Sequence, residues 1–191
     1  MKAWINFCDE NNIEIIFGEN YVKEYADKKA ELTGNFKTHL IGPLQSNKVK
    51  KAVEIFDCIQ SVHSEKVLKL INKEAEKLNK EMDVFLQVNI SEDEAKSGFQ
   101  KEELVEIFNK DFINKLANIN IAGLMCITAF YENKEDVRPD FIKMCEIKKE
   151  LELSNNIKLE LSMGMSADYQ IAIEEGASMV RIGSSLFGER L

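Results

Sequence analysis

A glycine-serine turn near the end of the sequence, together with an arginine two residues before it, is the combination best suited to bind an anion. The turn consists of Gly183, Ser184 and Ser185, and the arginine is Arg181. A residue without a Cβ lets the backbone approach an anion, the hydroxyls add donors, and the amides of a predicted helix over 185–190 would point the same way. Taken alone, such a turn more often caps a helix than binds a ligand, so the arginine is what favours a phosphate site.

Arg181 lies within a short apolar segment, 179–182, that the sequence pattern predicts to be a strand. Because side chains alternate along a strand, Met179, Arg181 and Gly183 share one face. A guanidinium between apolar neighbours must find an acceptor, since burying it unpaired is costly. The sequence leaves two kinds of acceptor for Arg181: a carboxylate of the chain such as Glu19, or a ring nitrogen or phosphate of a ligand.

The elements that must position these groups alternate between strand and helix along the whole chain. Seven apolar segments are predicted strands, at 13–17, 38–41, 57–62, 83–90, 120–127, 158–162 and 179–182. Such alternation predicts parallel strands in either an open doubly wound sheet or a closed (β/α)₈ barrel. Polar residues follow nearly every strand, which favours the barrel, as one α/β domain over 1–191. Since the chain begins with a predicted helix, we expect a TIM-type barrel without its first strand.

The fourth predicted strand carries polar residues on one of its two faces. Val84, Leu86, Val88 and Ile90 alternate with Phe85, Gln87 and Asn89. Because alternate residues point to opposite sides of a sheet, the second set faces the interior of a barrel. A partly polar inward face predicts a lined cavity.

Composition excludes several classes of partner. The net charge is -8 and no dense basic run is present, so nucleic acid and anionic membranes have no electrostatic attraction to this chain. The four cysteines form no CxxC pair, and with only two histidines we expect no metal site. The first residues contain no long apolar run of the kind found in signal peptides or membrane spans. We expect a cytoplasmic protein whose thiols are reduced and mostly buried.

Six segments of the chain together resemble one known family. They are FGENYVKE (17–24), HLIGPLQSNK (39–48), QVNISEDEAKSG (87–98), GLMCI (123–127), LSMGMS (161–166) and MVRIGSSLFGER (179–190). In this order they are similar to the pyridoxal phosphate homeostasis proteins, small relatives of the alanine racemase barrel. The resemblance implies a barrel that binds pyridoxal 5′-phosphate (PLP) at the carboxyl ends of its strands. It also implies a non-catalytic carrier or regulator in vitamin B6 homeostasis, with PLP-dependent enzymes as partners.

The resemblance also implies roles for particular residues. The phosphate would rest on Ser162, Ser166 and the backbone of Gly183, Ser184 and Ser185, Arg181 would face the pyridine nitrogen, and Asn89 and Met125 would lie near the ring. An arginine at this nitrogen disfavours the pyridinium and weakens carbanion stabilisation. That suits a carrier or a racemase better than a decarboxylase.

The lysine that holds the cofactor aldehyde as a Schiff base in this family has no counterpart that we can assign here. It would stand at the end of the first barrel strand, and Lys2 falls beyond that point. Lys48 and Lys96 lie in motif segments but are interpreted as solvated, and no catalytic residue is assigned. Three hypotheses stay open: a PLP-binding homeostasis protein that is truncated or has a misplaced start, a racemase-like PLP enzyme, and a barrel remnant that binds no cofactor.

Overall fold

The computed structural model describes residues 1–91, 96–108, 110–113 and 115–188. Its helices are α1 (Lys2–Asn11), α2 (Val22–Lys29), α3 (Val49–Ile55), α4 (Glu65–Lys77), α5 (Lys101–Ile107), α6 (Lys110–Ile113), α7 (Arg138–Asn155), α8 (Tyr169–Glu174) and α9 (Ser184–Phe187). Its strands are β1 (Ile16–Glu19), β2 (Lys37–Leu40), β3 (Cys58–Val62), β4 (Met82–Val88), β5 (Ile119–Cys126), β6 (Glu160–Met165) and β7 (Met179–Arg181). Short 3-10 helices, Ser46–Lys48 and Lys134–Val137, precede α3 and α7.

The described strands are parallel and pair in the order of the chain, from β1 to β7. Sequential order is what a barrel requires, whereas a doubly wound sheet reverses its order at a switch point. Side chains also meet across the interior: the amide of Gln60 on β3 bonds to Ser162 on β6 and to Met179 on β7. The sheet therefore curls into a nearly closed α/β barrel, which confirms the predicted fold class and its seven parallel strands.

Apolar clusters lie on opposite faces of this sheet, as the alternation along the fourth strand predicts. Val84, Leu86 and Val88 belong to the large cluster that packs the sheet against its helices. Phe85 belongs to a small cluster with Cys58 and Met125 on the inward face. Burying one such large side chain contributes about 1.5–3 kcal/mol, so the outer layer supplies most of the hydrophobic stabilisation.

Several predicted boundaries differ from the structure. β1 begins at Ile16 instead of residue 13, because Asn12 takes a left-handed conformation (φ 54°) that ends α1, and Ile13 is half exposed on the way to the sheet. The predicted helix 101–116 is divided into α5 and α6 in the described residues. β6 continues to Met165 and so carries Ser162 in its middle instead of at its end.

Helix length and composition bear on one further property. Among the residues that the structure describes, no helix combines the length and the apolar character needed to cross a bilayer. The longest, α7, is 18 residues long and presents charged groups throughout.

Candidate functional site

Two backbone amides converge on one serine at the carboxyl end of the barrel. Ser166 directly follows β6, and its Oγ accepts the N–H of Gly183 at 3.2 Å and that of Ser185 at 3.5 Å. The residues meet because β6 and β7 are paired, with Met165 in register with Arg181, so the segments after the two strands leave the sheet side by side. A Cβ on Gly183 would meet no atom within 4 Å, so the turn is open to solvent.

This arrangement brings together three of the predicted phosphate contacts. Amides that point toward a single oxygen form a concave donor set of the kind that binds anions, and the serine hydroxyl can reorient to donate. Ser184 begins α9, which spans one turn and ends at Phe187, followed by Gly188 with φ 78°. The predicted helix over 185–190 is therefore shorter than expected as far as the structure describes it, and residues 189 and 190 lie outside the described part.

Arg181 reaches inward from β7 and binds two neighbouring strands. Its Nη1 donates to Ser162 Oγ on β6 and its Nη2 donates to the carbonyl of Cys126 at the end of β5, both at 2.7 Å. Met179 also faces inward, where its sulfur accepts from Gln60. The prediction that Met179 and Arg181 share a face is confirmed.

The alternative in which Arg181 pairs with Glu19 is wrong. Glu19 is in register with Leu40 and lies on the outer face of the sheet, where its carboxylate contacts Lys28 of α2 at 2.7 Å. In the described part of the chain, no ion pair joins Arg181 to a carboxylate. Its acceptors there are a hydroxyl and a carbonyl, which leaves the positive charge unneutralised by a direct partner.

Burial and nearby groups set the protonation states of this region. Burial lowers the pKa of Arg181, while the nearby Cys126 and Asp168 oppose that shift. The guanidinium keeps its proton because its ordinary pKa is so high. Burial raises the pKa of the Cys126 thiol to about 12, so this cysteine is neutral, and its carbonyl is the group that binds the arginine.

Ser162 is fully buried and differs in surroundings from Ser166. Its hydroxyl accepts from Arg181 and donates to Gln60 Oε1 at 2.7 Å. Gln60 Nε2 in turn lies 2.8 Å from His39 Nδ1. The role of Ser162 at a phosphate stays a prediction, and its contacts in the structure are with the arginine and the glutamine.

Asn89 directly follows β4, and Met125 lies on the neighbouring strand β5. Met125 is fully buried against Cys58 and Phe85. The side-chain amide of Asn89 donates to the carbonyl of Lys96 at 3.4 Å, and Gln87 donates to that of Ser97 at 2.8 Å. The polar groups that predicted a lined cavity are therefore used at least in part to hold the backbone around residues 96 and 97.

The lysines considered from the sequence have different surroundings. Lys2 and Lys48 are exposed, and Lys2 pairs with Glu31 at 3.1 Å. Lys96 is half-buried, and its Nζ donates to the carbonyl of Thr128 at 2.8 Å, so its interpretation as a solvated side chain is wrong. In the described part of the chain the partners of Arg181 are Ser162 and Cys126, and none of these three lysines is among them.

Gln60 and His39 are functional candidates that sequence reasoning missed. From the sequence, His39 is only one of the two histidines that argue against a metal site, and Gln60 lies in the strand CIQSV, whose five residues are all buried. A glutamine in the middle of a buried parallel strand is itself a signal, because its amide must find partners inside the protein.

Comparison with known proteins agrees with this architecture. Residues 16–191 match the family model of the alanine racemase N-terminal domain. The structure of PipY from Synechococcus elongatus without PLP superposes with a TM-score of 0.84 at 36% identity, over 90% of this chain and 81% of PipY. PipY with PLP bound gives a TM-score of 0.83. The fold and site thus define an α/β barrel of the alanine racemase N-terminal class.

Proteins of similar sequence identify the family within this class. The pyridoxal phosphate homeostasis protein of Aquifex aeolicus is 43% identical over 177 residues, which cover 92% of this chain and 77% of that protein. The protein of the same name from Schizosaccharomyces pombe is 35% identical, and the match covers 91% of this chain and 74% of the S. pombe protein. The chain belongs to the pyridoxal phosphate homeostasis protein family.

Proposed function

We propose that this protein binds PLP and acts in vitamin B6 homeostasis as a carrier or regulator without a reaction of its own. The observation that carries the proposal is the pairing of two donor sets at the ends of neighbouring strands. Ser166 gathers the amides of Gly183 and Ser185, and Arg181 lies two residues before that turn. The binding of PLP by PipY, at 36% identity, supports the same ligand.

The residues present fit the chemical groups of PLP. In this proposal the backbone of Gly183, Ser184 and Ser185 and the hydroxyl of Ser166 bind the phosphate, since amides and hydroxyls are its usual donors. The open space beside Gly183 lets an anion reach these amides. Two amides that converge on one oxygen are the specific structural observation for this fit.

Arg181 would contact the pyridine nitrogen, with Asn89 and Met125 near the ring and Ser162 supporting the arginine. When bound, PLP supplies an aldehyde conjugated to a ring that can withdraw electrons. Arg181 donates hydrogen bonds and carries a positive charge, so it favours an unprotonated ring nitrogen. An uncharged nitrogen makes the ring a weaker electron sink, which supports binding without catalysis.

The proposal includes the proteins that receive PLP and the compartment in which the protein acts. PLP-dependent enzymes are the recipients we propose, and the cytoplasm is the location. The described cysteines are all free, which suits a reducing compartment. Recovery of activity by a PLP-free aminotransferase mixed with the PLP-loaded protein, faster than with an equal concentration of free PLP, would support transfer. An unchanged rate would remove transfer from the proposal.

The binding proposal is tested by titrating the purified chain with PLP, followed by absorbance and equilibrium dialysis, with inorganic phosphate as competitor. Saturable binding that phosphate displaces is expected. Borohydride treatment and peptide mapping then identify any lysine that becomes covalently labelled. Absence of saturable binding would leave the barrel-remnant hypothesis, and conversion of L-alanine to D-alanine would replace the proposal with the racemase hypothesis.

A further inference from the structure

We propose that Gln60 is a positioning residue for Arg181, acting through the hydroxyl of Ser162, and that His39 fixes the orientation of the Gln60 amide. The inference rests on the proposed function only where it concerns affinity for PLP. The geometry of the arginine itself is a property of the protein alone.

The contacts form a continuous path through the barrel interior. Arg181 Nη1 donates to Ser162 Oγ at 2.7 Å, and Ser162 donates to Gln60 Oε1 at 2.7 Å. Gln60 Nε2 then reaches His39 Nδ1 at 2.8 Å. Gln60 is 1% exposed and Ser162 is 0% exposed, so water is a poor substitute for these partners. Removing one partner of a buried polar group leaves the other unsatisfied, which is costly inside a protein.

Every hydrogen bond of this path is donated in the same direction, from Arg181 toward His39. The guanidinium has only N–H donors, so Ser162 must accept from it and direct its own hydrogen to Gln60. The amide nitrogen of Gln60 consequently faces His39 and also Met179 Sδ, which accepts at 3.0 Å. A flipped amide would place an oxygen against the sulfur and leave the serine hydrogen without an acceptor. Hydrogen bonds aligned in this way strengthen one another.

His39 completes the path as an acceptor and must be neutral at Nδ1. Burial lowers the pKa of His39, which favours the neutral ring; of the charges that act on it, Asp57 and Asp83 oppose that shift and Lys37 on its own strand reinforces it. With Nδ1 accepting from Gln60, the proton of the neutral ring belongs on Nε2. The tautomer of His39 therefore reports the orientation of the glutamine.

The consequence for Arg181 is a fixed guanidinium plane. Nη1 is held by Ser162 and Nη2 by the carbonyl of Cys126, at 2.7 Å each. A planar group held at two points loses its remaining freedom before a ligand arrives, and such preorganisation lowers the entropic cost of binding. The Ser166 turn shares no hydrogen bond with this path in the described contacts, so the two can be tested separately.

The test compares Gln60→Leu with a matched control, Cys58→Ala, which alters the same inward face two residues earlier. Gln60→Leu should lower PLP affinity about tenfold, as expected for one misplaced charge-assisted hydrogen bond, and leave the inhibition constant of inorganic phosphate within about twofold. Cys58→Ala should change neither value. Equal losses in both variants would indicate general loosening of the barrel and overturn the proposal.

Nitrogen-15 NMR of the protein without ligand gives a second readout. Wild type should show His39 protonated on Nε2 and slow exchange of the Arg181 Nη protons with water. Gln60→Leu should speed that exchange. Gln60→Glu should raise the pKa of His39, because a carboxylate oxygen takes the place of the amide nitrogen. The Gln60→Glu variant should retain its affinity for PLP. An unchanged exchange rate and an unchanged His39 titration would overturn the proposal.

Failures of this inference and of the proposed function are distinguishable. If wild type binds no PLP, the proposed function fails, while the NMR comparison still decides whether Gln60 positions Arg181. If Gln60→Leu does not fold, Ser162→Ala removes the same link, and its Arg181 exchange rate takes the place of the first variant. An exchange rate equal to wild type in Ser162→Ala would equally overturn the path.

Discussion

The turn after β7 begins two residues after Arg181, where the polar path inside the barrel ends, and the two regions hold their polar groups in opposite ways. In the turn, Gly183 and Ser185 are exposed, and their amides share a single serine oxygen at 3.2 and 3.5 Å. Inside the barrel, Arg181, Ser162 and Gln60 are joined by bonds of 2.7 Å. The first region is exposed and has longer hydrogen bonds, and the second is largely buried and has shorter ones.

The difference separates two ways of preparing a site. A phosphate carries several strong acceptors and can be bound by exposed backbone amides, which need no side-chain support. A half-buried arginine without a carboxylate partner is held here by neutral acceptors, which offset part of its desolvation. We therefore expect the turn to tolerate substitution with little loss of stability, and the interior to lose stability and affinity together.

Replacing the half-buried Arg181 should produce the largest effect. Arg181→Met leaves the carbonyl of Cys126 and the hydroxyl of Ser162 without their donor, and each hydrogen bond to a charged group contributes about 1.5–3 kcal/mol. PLP affinity should fall about 10- to 100-fold, with a lower melting temperature. Isothermal calorimetry and thermal denaturation measure the two effects.

A second arginine provides the control for that substitution. Arg138 lies near the surface, where it contacts Glu135 at 2.9 Å and Glu174 at 2.8 Å, and ion pairs in such positions contribute about 0–1 kcal/mol. Arg138→Met should leave PLP affinity unchanged. An equal loss of affinity in both variants would contradict the contrast between interior and surface.

Two glycines should respond in opposite ways to alanine. Gly164 in β6 has φ 89°, and its Cβ would lie 2.5 Å from that of Ala172, so Gly164→Ala should destabilise by about 1–3 kcal/mol. Gly183→Ala meets no atom and should change stability by less than about 0.5 kcal/mol. Its methyl group should nevertheless weaken phosphate competition about tenfold, by blocking the approach to the amides. Urea denaturation and competition titrations separate the two outcomes.

Substitutions of two serines test whether affinity and stability can be separated, with a smaller expected effect. Ser166→Ala removes the oxygen on which the amides of the turn converge and should lower PLP affinity several-fold to about tenfold with little change in stability. Ser64 caps α4 by accepting from Val67 N at 3.4 Å, so Ser64→Ala should cost about 1 kcal/mol of stability and no affinity. A loss of affinity in Ser64→Ala would show that affinity follows overall stability.

The smallest expected effect is a pH dependence confined to the interior. Because the folded protein lowers the pKa of His39 below 6.5, the unfolded chain binds more protons just below that pH. The stabilising contribution of neutral His39 is therefore complete above about pH 6.5 and is lost as the pH falls through the folded-state pKa. His39→Gln should flatten this part of a stability-against-pH curve measured by urea denaturation, and His63→Gln is the control. Sulfate binding at the turn should not follow the titration.

Much of the fold could be predicted because its signals are local. The alternation of Phe85, Gln87 and Asn89 with apolar residues assigns the two faces of the fourth strand correctly. Boundaries were less accurate, since the start of β1 depends on a left-handed Asn12 that ends the preceding helix. That conformation is a matter of a single residue and leaves no mark on the periodicity.

The candidate site, like the fold, has one part that could be predicted from the sequence and one part that could not. Arg181 and the glycine-serine turn stand in one short segment, so the alternation of a strand was enough to place them on one side of the sheet. The role of Gln60 could not be predicted, because 102 residues separate it from Ser162. The alternative in which Arg181 pairs with Glu19 is wrong for a related reason: which face of β1 points inward depends on its register with β2.

The sequence by itself determined the order of the elements, the barrel class and the position of the glycine-serine turn that we propose as an anion site. These follow from periodicity, glycine placement and motifs, each of which acts over a few neighbouring residues. Only the tertiary structure decided what holds Arg181, since closing the barrel is what brings β2, β3, β6 and β7 within hydrogen-bond distance. A half-buried charge takes whichever acceptors the barrel presents, and here those are a serine hydroxyl and a backbone carbonyl.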